Sequence, residues 1–240
     1  MILVDMSQIM MASIMMQMHM SKKSEPDEEM VRHMILNSLR MYRTRFLSEF
    51  GEMVLCYDSR HYWRRDYFPE YKHSRRKSRG TDDKNWDIIF NCLNTIKEEV
   101  KSNMPYKSVE VYGAEADDVI ATLCSESSNE VMILSGDKDF IQLQKFPNVK
   151  QYSPITKKMI NGMNPDDYLK EHVLKGDTSD GVPNVLSPDN TFVDGIRQRP
   201  LSKKKIATMV EGDFPNDEVK RNYQRNKKLI DLTCSPDELR

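Results

Sequence analysis

Nine carboxylates stand where apolar runs end or helices begin, and five short motifs hold them. They are Asp5 in ILVDMS, Asp58 in VLCYDS, Glu115, Asp117 and Asp118 in GAEADDVIA, Asp137 and Asp139 in ILSGDKDF, and Asp177 and Asp180 in KGDTSDGVP. Carboxylates brought together repel and raise one another's pKa unless a cation compensates. An oxygen-only donor set, with no Cys or His pattern beside it, suits Mg²⁺ or Mn²⁺ better than zinc. The residues point first to Mg²⁺-dependent phosphoryl transfer.

The elements that must position these acids read as an alternation of strands and helices. Residues 2–5 form a short apolar strand and Ser7 opens a helix to about residue 18. SEPD at 24–27 starts a second helix that Gly51 stops, and MVLCY at 53–57 is a continuous apolar run of the kind buried on both faces of a sheet. A helix over 84–102, a strand at 108–112, a helix at 114–125 and a strand at 131–135 complete the pattern. Such alternation predicts a mostly parallel central sheet flanked by helices, with ligands beyond the carboxyl ends of the strands. Asp5, Asp58 and Asp137 all fall there. Glu115 and Asp118, three apart, are expected to share a helix face. If 137–139 stay extended, Asp137 and Asp139 share one side. From about residue 165 the chain turns to helices, basic clusters and loops, with helices expected at 165–174, 201–211 and 217–231. The expected organisation is an α/β core over 1–160 and a helical lobe over 161–240.

Composition bounds the rest. The 240 residues carry a net charge of −1, with 38% hydrophobic and 30% charged residues, so no global field announces a partner. The basic charge is concentrated: residues 60–79 hold eight Lys or Arg against two acids, and 197–205 and 219–228 hold five each against none. A positive surface around an acidic centre is the expected result, with 60–83 forming a basic, mobile arch. Cys56, Cys92, Cys124 and Cys234 show no metal spacing and read as reduced thiols of a cytoplasmic protein. The Met-rich start, seven Met between residues 5 and 20, contains Asp5 and lacks a basic leader, so it reads as a strand and a buried helix rather than a signal peptide. No run reaches membrane-spanning length. The chain ends soon after the apolar LIDL run, and a further C-terminal portion is expected beyond it.

VDMSQI, HYWRRDYFPEYKHSRR, ADDVIA, GDKDFIQL, FPNVKQYSP and LKGDTSDGV together resemble the 5′-nuclease superfamily of flap endonucleases and 5′→3′ exonucleases, nearest its bacteriophage replicative RNase H branch. The resemblance spans almost the whole chain. It implies a PIN-like 5′-nuclease fold with a C-terminal DNA-binding lobe and two Mg²⁺ ions, with Mn²⁺ as a substitute. Asp5, Asp58, Glu115, Asp118, Asp137 and Asp139 would serve the inner ion or its waters, and Asp117, Asp177 and Asp180 the second; a helix cap is the alternative for Asp117. Lys72 and Arg75 would contact the scissile phosphate, and Tyr71 would stack on a terminal base. Arg64, Arg65, Arg76 and Lys77 would steer the nucleic-acid backbone. Trp63 and Tyr67 could stack on bases, with packing beneath the arch an equal alternative for Trp63.

One departure stands out. Many family members follow their GDxSDN with a glycine-rich hairpin that holds duplex phosphates, often with K⁺. Here NVLSPDNTFVDGIRQRPLSKKKIA follows instead, which puts K⁺ in doubt and leaves Lys203, Lys204 and Lys205 to bind duplex. The expected activity is metal-dependent 5′ cleavage of flapped, nicked or forked DNA and of RNA–DNA hybrids, removing primers during lagging-strand replication. The expected enzyme is a monomer working in the cytoplasm, the host's if phage-encoded, with single-stranded-DNA-binding protein and a sliding clamp as partners and no membrane. The rivals are a PIN-type ribonuclease, usually shorter and without the basic arch, and a catalytically silent DNA-binding paralogue, which the intact acid set disfavours.

Overall fold

The structure, a computed structural model, describes residues 1–239, Arg76 by its backbone alone. Three apolar runs set its centre: Ile2–Asp5 (β1), Met53–Tyr57 (β2) and Val131–Leu134 (β4), each buried along its whole length. Unbroken apolar sequence is what a strand covered on both faces requires. They pair in parallel, with Ile2 opposite Met53 on one side and Met132 on the other. Because successive side chains leave opposite faces of a strand, Ile2, Val4, Met53, Leu55, Met132 and Leu134 meet one helical layer. Leu3, Val54, Cys56, Val131 and Ile133 meet the other.

The first layer is α1 (Met6–Ser21), α2 (Glu28–Phe50) and α5 (Trp86–Asn103), which bring Ile9, Ile14, Ile35, Leu39, Ile89 and Ile96 to the sheet. The second is α6 (Ala116–Glu126) and a 3₁₀ segment at Lys138–Lys145, which bring Val119, Ile120, Phe140 and Leu143. The sheet is completed by Lys107–Glu110 (β3), Val149–Ser153 (β5) and Lys158–Ile160 (β6), in the order β3-β2-β1-β4-β5-β6 with only the last pair antiparallel. The chain runs outward from β1 to β3 and then crosses back to β4 on the far side of β1. That reversal opens a crevice beyond the carboxyl ends of β1 and β4.

Helices Pro165–Lys175 (α7), Lys203–Val210 (α8) and Asp217–Ile230 (α9) pack on one another through Leu174, Val185, Met209 and Val219. A further cluster of Phe68, Tyr71, Val173, Val182, Leu229 and Ile230 ties them to the basic segment. Gln142 fastens the end of α9 to the core: its Nε2 donates to Ile230 O at 3.0 Å and its Oε1 accepts from Leu232 N at 2.8 Å. Among the described residues no helix is long and apolar enough to cross a membrane.

Four local differences from the sequence expectation have physical causes. The basic stretch, expected as a mobile arch, contains two helices, Trp63–Tyr67 (α3) and His73–Gly80 (α4), the first anchored by buried Trp63 and Arg64. Residues 137–139 are not extended, because the Asp137 carboxylate accepts from Asp139 N at 3.0 Å and turns the chain into the 3₁₀ segment. The third strand stops at Glu110, two residues early. β5 and β6 are short and partly polar, VKQYS and KMI, and carry too little periodicity to announce themselves.

Gly176 places the second cluster of acids. It ends α7 at φ +68°, where a Cβ would lie 2.4 Å from Val182 O and 2.6 Å from Pro183 O. Gly162, at φ +86°, has nothing within 4 Å. Gly162→Ala should therefore cost only the left-handed backbone penalty, roughly 1–2 kcal/mol. Gly176→Ala should cost that plus an overpacking penalty of roughly 1–3 kcal/mol. Urea unfolding of the two variants checks the order.

Candidate active site

Asp5 closes β1 and opens α1: one carboxylate oxygen accepts from Gln8 N at 3.1 Å, and the other from Ser135 Oγ at 2.9 Å. Burial, then the nearby charge of Asp58, pushes its carboxyl up to about 7. Asp58, just past β2, accepts from Ser7 Oγ at 2.6 Å and from Ala116 N at 2.7 Å, so it pins the first turn of α6 against α1. That turn carries Asp117. Among the described residues no hydrogen-bond donor reaches the Asp117 carboxylate, and burial followed by Asp137, Asp5, Glu115 and Asp58 raises its pKa far above the ordinary range. Asp137 follows β4, on a backbone gripped by Gln151, whose Nε2 donates to Ser135 O at 3.0 Å and to Asp137 O at 2.6 Å. These four acids line a cleft of about 1170 Å³ whose wall also includes Lys72, Arg75 and Asp180.

A second group lies beside the first. Asp139 is half-buried, and burial with the charge of Asp137 pushes it up to about 7. Burial alone would also raise Asp177, but His172 and Ser179 outweigh it and hold the carboxyl below its usual range. Asp177 shapes the GDTSD turn by accepting from Ser179 N at 2.7 Å and Asp180 N at 3.2 Å. The imidazole of His172 sits between the two acids, Nδ1 at 3.3 Å from Asp139 and Nε2 at 3.7 Å from Asp177. Asp117 and Asp180 line both the large cleft and the small pocket that Asp139 and Asp177 share. Asp117 thus stands between the two groups.

Cations close the rim. Lys72 precedes α4 in the left-handed region at φ 56°, held there by its N–H donating to Asp180 O at 2.7 Å. Its ammonium donates to Glu115 and lies 3.6 Å from the Asp180 carboxylate. Burial would lower the Lys72 pKa, but Asp180 and Glu115 outweigh it and raise it above the ordinary lysine value. Arg75 donates to the Asp180 carboxylate and to Ser179 O. The two side chains expected to act together therefore converge on one acid at the mouth of the cleft.

Several expectations need correction. Asp118 does not face the cleft. Its carboxylate accepts from Arg64 at 2.8 Å twice, from Ser235 Oγ at 2.6 Å, from Trp63 Nε1 at 3.2 Å and from Glu115 N at 3.0 Å. Burial would raise its pKa, yet the Arg64 guanidinium pulls it below the usual range. With every lone pair engaged, no direction is left for an ion. Arg64 cannot steer a nucleic-acid backbone, since it is 2% exposed and its remaining donors go to Glu115 and Leu229 O. Tyr71 offers no open face to a base. It is 3% exposed, with its hydroxyl donating to Asp180 at 2.6 Å and to Glu115 at 3.1 Å. Trp63 packs in the interior, while Tyr67 is 48% exposed. Asp117 lines the large cleft with Asp5, Asp58 and Asp137 and also the small pocket with Asp139, Asp177 and Asp180.

Among the remaining basic residues, Arg65 lies half-buried across the Tyr62 ring, whereas Lys77, Lys203, Lys204 and Lys205 are exposed. The side chain of Arg76 lies outside the described residues. His172 was missed because a single histidine in a helical stretch has no spacing to reveal it.

The model of the 5′-3′ exonuclease N-terminal resolvase-like domain matches residues 1–173. Ribonuclease H of Enterobacteria phage T4 is 34% identical over 99% of this chain and 82% of its own length. Flap endonuclease Xni of Shewanella sp. strain MR-4 is 29% identical over 51% of this chain and 48% of its own. Among solved structures, the T5 D15 protein co-crystallised with metal ions superposes with a TM-score of 0.67 at 16% identity, over 96% of this chain and 88% of that one. The bacteriophage T5 flap endonuclease in a complex with DNA and metal ions gives 0.67 at 16% identity, over 99% and 94%. These last two likenesses concern the fold. The chain belongs to the 5′-3′ exonuclease family, nucleases that break phosphodiester bonds.

The donor set fits divalent cations. Asp117 is a carboxylate with acids around it and, among the described residues, no donor on it, and Asp5 and Asp139 are both raised in the protein alone. Among the described residues, only Asp139, His172 and Asp177 place three potential ligand atoms within 4.8 Å of one another. The wider spacing of the first group suits an ion that keeps part of its water.

Two predictions follow from these charges. A carboxyl whose folded pKa is raised binds protons that the unfolded chain has already released. Asp5 and Asp139 therefore stabilise the ion-free protein below about pH 4, and that contribution is lost as pH rises to about 7. Thermal unfolding in chelator should show Tm falling across this window, and millimolar Mg²⁺ should remove most of the fall at the upper end. Arg64→Met leaves Asp118 and Glu115 buried without their partner and should cost about 3–5 kcal/mol in urea unfolding, far more than any exposed Arg→Met change.

Proposed function

We propose that the chain is a Mg²⁺-dependent, structure-specific 5′ nuclease acting on flapped, nicked or forked DNA and on RNA–DNA hybrids. The observation that carries this reading is the convergence of Lys72 and Arg75 on Asp180 at the mouth of an acid-lined cleft. Asp5, Asp58, Asp117 and Asp137 would hold one ion or its waters, and Asp139, Asp177 and Asp180 the second. Bound there, two Mg²⁺ ions supply charge neutralisation and an activated water, and Mn²⁺ is an acceptable substitute.

The chain's own residues do the rest. Cleavage joins a water oxygen to phosphorus and breaks the bond from phosphorus to the 3′ oxygen, leaving a 5′-phosphate. Negative charge grows on the phosphoryl oxygens during that exchange. A half-buried ammonium held in place by Glu115 is already oriented toward the site and needs little reorganisation to meet that charge. Arg75, more exposed, adds a planar donor on the same side. Tyr71 fixes the carboxylates of Glu115 and Asp180 that hold these cations.

Duplex binding is assigned to α8, where Lys203, Lys204 and Lys205 occupy the first turn. Cations there oppose the helix dipole, a cost that an approaching phosphate removes while gaining the free N–H groups. Removal of primers and adjacent DNA during lagging-strand replication, with single-stranded-DNA-binding protein and a sliding clamp as partners, is the role this specificity would serve.

The test is single-turnover cleavage of a 5′-labelled flap with and without Mg²⁺, with affinity measured separately in Ca²⁺. Lys72→Ala should lower the rate at saturating DNA by roughly 10² or more, with at most a several-fold loss of affinity. Replacing Lys203, Lys204 and Lys205 together with Ala should do the reverse. It should weaken binding and reduce the salt slope of log K by about 0.9 for each lost phosphate contact, with the saturated rate nearly intact. An unchanged rate for Lys72→Ala would remove it from the chemistry.

A further inference from the structure

Three aromatic residues among those described line the large cleft: Tyr57 is buried, Phe90 is half-buried and Tyr112 is 80% exposed. A lone exposed tyrosine on a protein surface is ordinary. Tyr112 is not alone. Its ring stacks on the imidazole of His61, with centroids 5.6 Å apart and planes 22° from parallel. The imidazole is itself held, its Nε2 lying 2.7 Å from Asp66 Oδ2. His61 covers one face of the phenol ring, so the exposure belongs to the other face, which opens on the cleft.

The stacked pair is fixed to the backbone that carries the acids. Ser59 N donates to Ala114 O at 3.0 Å and Trp63 N to Gly113 O at 2.8 Å, which joins the segments bearing His61 and Tyr112. Asp58 lies immediately before Ser59, and Glu115 immediately after Ala114. The ring is therefore placed relative to the acids before any ligand arrives, and little freedom is lost when one binds. Arg60, next to His61, lines the same cleft. It is exposed and, among the described residues, makes no hydrogen bond or ion pair. Lys72 and Arg75, by contrast, are already engaged with carboxylates. An open aromatic face with an uncommitted guanidinium beside it suits a single-stranded nucleotide, whose base offers a π-face and whose phosphate offers a charge. A base stacked and paired within a duplex has no free face to present.

We propose that Tyr112, backed by His61, is a stacking platform for one unpaired base of the substrate, and that Arg60 takes a phosphate of the same strand. The inference rests on the reading of the chain as a nuclease of flapped DNA. It names a determinant of preference for substrates with an unpaired strand over nicked duplex.

The experiment uses the full chain in Ca²⁺ and a flap whose unpaired strand carries 2-aminopurine at one position at a time. Stacking on an aromatic ring quenches the fluorescence of this base. The expected result is one position that the wild type quenches, with the quenching lost in Tyr112→Ala and kept in Tyr112→Phe. Tyr112→Ala should weaken flap affinity by roughly tenfold or more, and Tyr112→Phe should bind as the wild type does. On a flap with an abasic sugar at the quenched position, wild type and Tyr112→Ala should bind alike. Intact and abasic flaps are compared on the same protein, so a change in folding cannot imitate this result. Arg60→Ala should lower the salt slope of log K by about 0.7, the value for one single-strand phosphate contact.

An unchanged flap affinity in Tyr112→Ala, or a loss that persists in full on the abasic flap, overturns the platform and leaves the nuclease reading intact. An unchanged salt slope in Arg60→Ala overturns the phosphate contact. A wild type that neither binds the flap nor cleaves it in Mg²⁺ overturns both the platform and the nuclease reading.

Discussion

Repulsion among carboxylates that share one crevice is the constraint on which the rest of the molecule depends. The parallel sheet delivers Asp5 and Asp137 to the same edge because β1 and β4 are neighbours. Asp58 reaches the same edge from β2, and Asp117 comes from the helix start of α6, which Asp58 itself holds. Asp117 takes the worst position, with acids on several sides and, among the described residues, no hydrogen-bond donor. Such an arrangement persists because apolar burial elsewhere fixes the backbone. The strands' two faces are filled by aliphatic and aromatic side chains, each contributing roughly 1.5–3 kcal/mol on burial. The core holds the acids together, and a cation is needed to make their ionised forms comfortable.

The protein sorts its acids by giving some of them internal partners. Arg64 takes Asp118 completely and Glu115 in part, in a network only 1–2% exposed. Glu115 then passes its remaining oxygen to Lys72, and Tyr71 links Glu115 with Asp180. A line of alternating charge therefore runs from the interior to the rim. It explains why a lysine tolerates a left-handed backbone conformation there, since its N–H and its ammonium are both held. Such a network is costly to break and leaves the rim cations oriented before any phosphate arrives.

The sequence made the frame legible and left the sorting hidden. ILVD, MVLCY and VMIL announce buried strands because nothing polar interrupts them before the terminal acid, and their order predicts the parallel sheet. Lys72 and Arg75 were visible as a pair three residues apart. What spacing could not show was direction. Glu115 and Asp118 satisfy the rule for a shared helix face, but they form a reciprocal cap at the start of α6, which turns Asp118 toward Arg64. Arg64 itself sat in a basic run and looked like a surface residue, because one-dimensional charge density does not distinguish a buried guanidinium from a solvated one. The Asp137–Asp139 pair obeyed period two only while the chain was assumed extended. A capping hydrogen bond from Asp139 N to Asp137 overrode it and sent the two acids to different groups.

The central claim is that Asp117, and not Asp118, stands at the junction of two cation positions. Crystals soaked in Mn²⁺ and measured on either side of the manganese absorption edge test it directly. The account predicts two anomalous peaks, one on the side of Asp5, Asp58 and Asp137 and the other on the side of Asp139 and Asp177, with the Asp117 carboxylate between them. A peak at Asp118, or one that displaces Arg64 from it, would contradict the account.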